Sequence, residues 1–199
     1  GLLWQEKRNT KKKKRKKMHK VSVIIPTYKR AERLGKAIDS VLDQTYEDIE
    51  VIVVDDNDPN TEYRKATEKF MQRYKDNEKV VYVKHEKNKN GAAARNTGIK
   101  AANGDFIGFL DDDDCFLPEK IEKQVNFLIQ NKEYDGVYCG KISKGKEIIP
   151  QYSGDLTVRY LQGEISIGTS TLVIRRDAVV ALNGFDESFY RHQDVEFLL

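Results

Sequence analysis

Short apolar runs alternate along this chain with longer stretches of helical periodicity. Val21–Ile25, ended by Pro26, reads as a strand; Leu34, Ala37, Ile38, Val41 and Leu42 then recur along one helix face. Glu50–Val54 gives a second strand, stopped by Asp55, Asp56 and Asn57. Ala66, Phe70, Met71 and Tyr74 mark a helix, Val80–Val83 a third strand, Gly91–Ala102 a helix and Phe106–Leu110 a fourth strand. Ile121, Val125, Leu128 and Ile129 mark another helix before the strand Gly136–Cys139. Strands that are apolar throughout need cover on both faces. The pattern therefore predicts an α/β fold with a mostly parallel central sheet and helices on both sides. Beyond residue 140 the alternation weakens. Lys141–Ile149 reads as a hairpin, Thr171–Ile174 as a strand, Asp177–Leu182 as a short helix, Gly184-Phe185-Asp186 as a turn and Gln193–Leu199 as the start of a helix.

In open parallel sheets ligands bind beyond the carboxyl ends of the strands. Three polar clusters fall there: Thr27-Tyr28-Lys29-Arg30, Asp55-Asp56-Asn57-Asp58 and Asp111-Asp112-Asp113-Asp114. Adjacent carboxylates repel one another unless a cation offsets them. Mg2+ or Mn2+ takes oxygen ligands from one or two carboxylates and fills its shell with phosphate and water. On composition alone a solvated loop leading into a helix explains Asp111–Asp114 equally well; the position after a buried strand favours the metal. A calcium EF-hand loop does not fit, because Phe116 stands where that loop needs glycine. A carboxylate of the Asp55–Asp58 cluster can accept a hydrogen bond from a nucleobase, or merely shape a turn. Arg95, in the small-residue segment Gly91–Asn96, can serve the aspartates or a diphosphate, or form an ordinary surface ion pair.

Charge divides the chain unevenly. Residues 1–20 hold ten Lys or Arg and one Glu, within a whole-chain net charge of +3, so the body is acidic. This head predicts a disordered basic tail over 1–20, followed by one domain over 21–199. A solvated leader and attraction of residues 7–20 to an anionic membrane surface both account for it. Nucleic acid is not expected as a partner, since the acidic body offers no continuing basic face. Cys115 and Cys139 lack metal-ligand spacing and read as free thiols of a reducing compartment, the cytoplasm, with peripheral contact at the inner membrane face as the tail's contribution.

Six segments in order resemble the family 2 glycosyltransferases, whose catalytic domain has the GT-A (Rossmann-like) fold. They are Val21–Tyr28, Ser40–Tyr46, Val53–Asp56, Ala94–Ile99, Phe109–Asp114 with Pro118, and Asn183–Glu187 followed by Gln193-Asp194. The resemblance implies that Pro26, Thr27 and Tyr28 line a nucleoside pocket and that Asp56 binds the base. Arg95 and Asp112 belong to the same nucleotide-sugar site. Asp111 approaches ribose or metal, Asp113 is the main ligand of Mn2+ or Mg2+, and Asp194 is the general base. Asn57-Asp58 departs from the Gly-Ser common after the paired aspartates, and Gln193 from a frequent Glu.

The expected activity is transfer of a sugar from a nucleoside-diphosphate sugar, a UDP-sugar foremost, to a hydroxyl of a glycan or lipid-linked acceptor. One metal stabilises the leaving diphosphate and one carboxylate deprotonates the acceptor, which suffices for displacement with inversion. A sugar-phosphate nucleotidyltransferase would need a Gly-rich phosphate loop where Pro26–Arg30 stands. A non-catalytic nucleotide-sugar-binding or membrane-docking module is the alternative of another class. The chain ends five residues after Asp194, so a donor-binding part with an incomplete acceptor side is expected.

Overall fold

A computed structural model describes residues 19–198. Strands β1 (Val21–Thr27), β2 (Ile49–Asp55), β3 (Val80–Lys84) and β4 (Phe106–Phe109) lie parallel in the order β3-β2-β1-β4. Helices α1 (Ala31–Leu42), α2 (Glu62–Met71) and α3 (Gly91–Ala101) connect them. After α4 (Lys120–Gln130) come β5 (Gly136–Tyr138), the separate hairpin β6 (Lys141–Ser143) and β7 (Lys146–Ile148), and α5 (Thr157–Leu161). Strand β8 (Leu172–Arg175) then inserts between β4 and β5, antiparallel to both. Helices α6 (Arg176–Ala181) and α7 (Gln193–Phe197) follow.

Strand alternation divides the core into two layers. Val21, Val23, Ile25, Val51 and Val53 pack with α1 and α4 on one face. Ile24, Ile52, Val54, Ile107 and Phe109 pack with α3, α6 and α7 on the other. On that second face the Phe109 ring meets Phe185 and Phe197 edge-on, with centroids 5.3 and 5.9 Å away. Gly98 permits the approach of α3 to β1, because a Cβ there would run into the Ile24 side chain.

The first strand runs through Pro26 to Thr27, where the sequence predicts a stop at Ile25. Ile24 accepts a hydrogen bond from Leu110 N at 3.0 Å, so Pro26, two residues on, turns its nitrogen to the same side. There β4 has already ended, and no ladder hydrogen bond is lost.

Of the expected tail, residues 1–18 lie outside the described residues. His19 and Lys20 are packed onto the domain. Lys20 Nζ sits 2.7 Å from Glu50, and His19 Nδ1 is 2.9 Å from Asp105. Glu50 is buried at the amino ends of the strands, where it also accepts hydrogen bonds from Ser22 Oγ at 2.6 Å and Asn103 N at 2.8 Å. Burial opposes its charge, but Lys20, Ser22 and Asn103 prevail and hold the carboxyl below its ordinary range. Among the described residues no helix is long and apolar enough to cross a membrane. Cys115 and Cys139 are both free.

Candidate functional site

The path leaves β1 toward β2 on one side and returns through α3 to β4 on the other, so the strand order reverses between β1 and β4. A crevice forms at such a switch point beyond the carboxyl ends. Here it is an open cleft of about 320 Å³ lined by Pro26, Thr27, Tyr28, Arg30, Asp56, Asn88, Asn90, Gly91, Ala94, Arg95 and Asp112. Six of the eight side chains expected at a nucleotide-sugar or metal site are thus brought together. The first turn of α3 points at the same space. Asn90 caps that helix, its Oδ1 accepting from Ala93 N at 3.0 Å, and the free N–H groups there favour an anion.

The paired aspartates after β2 separate. Asp55 turns inward, where Arg64 Nε lies 3.1 Å away, Tyr82 Oη donates at 2.6 Å and Asn57 donates through both nitrogens. Arg64 also reaches the Asn57 and His85 carbonyls, which ties α2 to the strand ends. Asp56 organises the loop after β3. Its Oδ1 accepts from Lys89 N at 2.8 Å and faces His85 Nδ1 at 2.7 Å, while Oδ2 accepts from Asn88 Nδ2 at 2.9 Å and Asn90 N at 3.0 Å. His85 Nε2 continues the chain to Thr97 Oγ1 at 2.8 Å. A carboxylate has about four lone-pair sites. A nucleobase N–H therefore has to share an oxygen that already has two partners.

The four aspartates after β4 fan out to separate partners. Asp111 Oδ1 accepts from Arg95 Nη2 at 2.7 Å. Asp112 is buried, accepting from Thr27 Oγ1 at 2.8 Å and Arg30 Nη1 at 3.2 Å. Burial pushes its carboxyl above the ordinary range, against the pull of Thr27 and Arg30. Asp113 Oδ2 accepts from Arg30 Nη1 at 2.9 Å, with Arg33 3.6 Å away. Asp114 accepts from Ser170 Oγ at 2.7 Å, and Ser170 in turn accepts from Asp111 N. Asp111 and Asp113 lie at the lip outside the cleft lining, held by different arginines. Among the described residues no three His, Cys, Asp or Glu side chains converge on one point. Mg2+ or Mn2+ commonly takes only one or two carboxylates from a protein and fills its shell with phosphate and water, so the lip carboxylates fit such a cation without a third protein ligand.

Arg95 joins the acidic lip to α7. Besides Asp111 it donates from Nη1 to Gln193 Oε1 at 3.1 Å and lies over the Phe185 ring. Its Nε is buried without a partner. Gln193 opens α7, whose next residue is Asp194. The Asp194 carboxylate makes no hydrogen bond or ion pair among the described residues, while burial and then the Asp194 charge push Tyr160, whose hydroxyl donates to Ile167 O at 3.2 Å, up to about 12. His192 is exposed and left-handed, at φ 57°, and takes no part.

Sequence reasoning missed Arg33, His85, Asn88 and Ser170, and it quoted Arg30 without giving it a role. Only Arg30 carried a signal, as a base beside Thr27-Tyr28 that faces four acids across the rim.

The α/β fold with its mostly parallel central sheet matches the GT-A class of glycosyltransferase folds. Staphylococcus aureus TarS in complex with UDP superposes with a TM-score of 0.72 at 21% identity, over 90% of this chain and 54% of that one. A Pyrobaculum calidifontis mannosyltransferase, PcManGT, in complex with GDP-Man and Mn2+, gives 0.66 at 19% identity over 90% of this chain and 50% of the other. The chain belongs to glycosyl transferase family 2, whose sequence profile matches residues 22–183. An Escherichia coli relative, the UDP-Glc:alpha-D-GlcNAc-diphosphoundecaprenol beta-1,3-glucosyltransferase WfgD, is 32% identical over 87% of this chain and 66% of its own length. The chain spans less than two thirds of the relatives it matches along most of its length.

Proposed function

We propose that this chain is the donor-binding part of an inverting, metal-dependent glycosyltransferase that uses a UDP-sugar. The observation that carries the reading is the cleft itself, where Thr27, Tyr28, Asp56, Arg95 and Asp112 meet at the switch point beneath the acidic lip. The UDP named for TarS and the UDP-Glc donor and diphosphoundecaprenol acceptor named for WfgD support the donor and a lipid-linked acceptor. Pro26, Thr27 and Tyr28 bound the nucleoside end, and Asp56 shapes it through Asn88–Asn90. Asp113 and Asp111 would hold Mn2+ or Mg2+. Bound there, the cation supplies charge neutralisation for the leaving diphosphate. Arg95 and the amino end of α3 orient the same diphosphate. Asp194, without another partner among the described residues, takes the proton from the attacking acceptor hydroxyl; a single carboxylate base implies one displacement and inversion. Two free thiols fit a cytoplasmic setting.

The test is a paired measurement in the full-length protein. Asp194→Asn is expected to lower transfer by roughly 100- to 10,000-fold with UDP affinity unchanged, while Asp186→Asn transfers normally. Asp113→Ala is expected to lose Mn2+-dependent UDP binding with its melting temperature preserved. Normal turnover in Asp194→Asn removes the base assignment, and unchanged Mn2+-dependent UDP affinity in Asp113→Ala removes the metal assignment.

A further inference from the structure

Arg30 is the N-cap of α1 and Arg33 stands in its first turn, the end of a helix that disfavours positive charge, and Arg30 makes no side-chain capping bond. The helix does not explain them; the acidic lip does. One nitrogen of Arg30 straddles two neighbouring carboxylates, at 3.2 Å from Asp112 Oδ1 and 2.9 Å from Asp113 Oδ2, and Arg33 adds a second positive charge at 3.6 Å. The Asp113 carboxylate assigned to a cation therefore already faces a guanidinium group through Oδ2. A divalent ion sits about 2.1 Å from its ligand oxygen, so ion and guanidinium on one carboxylate would repel at close range. Arg30 has somewhere else to go. Its side chain is half exposed, and it also lines the cleft, where a diphosphate offers a better partner for a guanidinium fork than a lone carboxylate.

We propose that Arg30 is an internal stand-in for the cation: it neutralises Asp112 and Asp113 while the cleft holds no donor, and moves onto the donor diphosphate when Asp113 takes up metal. The inference rests on the cleft being the donor site. Its consequence is coupling. With one arginine serving both, Mn2+ and nucleotide strengthen each other's binding, and Mn2+ alone binds poorly.

Calorimetry tests this with Mn2+ alone, UDP alone, and Mn2+ at saturating UDP, on wild type, Arg30→Gln and Arg30→Lys. Arg30→Gln is expected to bind Mn2+ alone about tenfold tighter than wild type and to bind UDP with Mn2+ about tenfold weaker, so that the coupling factor falls toward one. Arg30→Lys, which keeps the charge and loses the fork, falls between. Added Mn2+ is expected to raise the melting temperature of Arg30→Gln more than that of wild type, because the repulsion Arg30 had relieved returns. Equal affinity for Mn2+ alone in wild type and Arg30→Gln, with tight Mn2+ binding at saturating UDP in both, overturns the exchange and leaves the metal site standing. Absence of Mn2+ binding in wild type even with UDP overturns the exchange and the metal assignment together.

Discussion

Lys120 holds its ammonium group 3.9 Å from the centre of the Phe116 ring, buried and without a hydrogen-bond partner, while Gln124 Oε1 one turn later is also buried and unpartnered. Burial pushes the lysine down to about 8 from its ordinary 10.5. Between those values the unfolded chain binds more protons than the folded one, so stability rises with pH across that window. Below pH 8 the cost is constant. Lys120→Met is therefore expected to be more stable than wild type at pH 7 by on the order of 1–3 kcal/mol, less whatever cation–π attraction to Phe116 is lost. The advantage should shrink as pH rises from 8 to 10.5, which denaturant melts at pH 7 and pH 10 would check; an equal gap at both rules out the buried charge. None of this is legible in the sequence. Lys120 opens the helix that Ile121, Val125, Leu128 and Ile129 mark, and nothing local tells that its ammonium group lies against Phe116, a contact made by the fold. The acidic residues were easier to find, because four in a row after an apolar strand is a pattern, whereas Arg33 became visible as a counterion only in three dimensions.

At the scale of elements, Asn96 turns two separate motifs into one. Its Oδ1 accepts from Phe185 N at 2.8 Å, and its Nδ2 donates to Phe185 O at 2.8 Å and Glu187 Oε1 at 2.9 Å, which fastens the Gly184–Glu187 turn to α3. Gln44 does the same for the other helical layer. It donates to Leu117 O at 2.8 Å and accepts from Ile121 N at 3.0 Å, fixing the segment between the acidic lip and α4. Removing Asn96 leaves a buried N–H and carbonyl unpaired, so Asn96→Ala is expected to cost roughly 2–4 kcal/mol for several lost bonds. It should also free α7, seen as faster hydrogen exchange over residues 184–198 with residues 21–27 unchanged. Uniform loss of protection would make Asn96 a general core residue instead. The strands and helices themselves were readable, since apolar runs and periodicity are local. The sutures were not: they join positions 73 to 91 residues apart through side chains that in sequence look like ordinary polar residues. The extension of β1 through Pro26 was missed for the same reason, because the early end of β4 decides it.

At the scale of the whole molecule, the sheet has a parallel half made within the first 110 residues and an antiparallel flank completed much later. Strand β5 pairs in the sheet only with β8, and β8 fills the place beside β4. The open edge of β4, Phe106–Phe109, is buried in the finished domain. A chain stopped at residue 171 should thus display that edge and leave β5 without a partner. Such a truncation is expected to self-associate and bind a hydrophobic dye, while a chain stopped after α6 stays monomeric by light scattering. A monomeric 1–171 fragment would show that the flank is dispensable. The order of synthesis makes the same point in time rather than in space. As residues 110–171 are synthesised, the nascent chain is expected to carry the cleft beside an uncapped strand, and the emergence of Leu172–Arg175 ends the interval in which that edge is open to other chains.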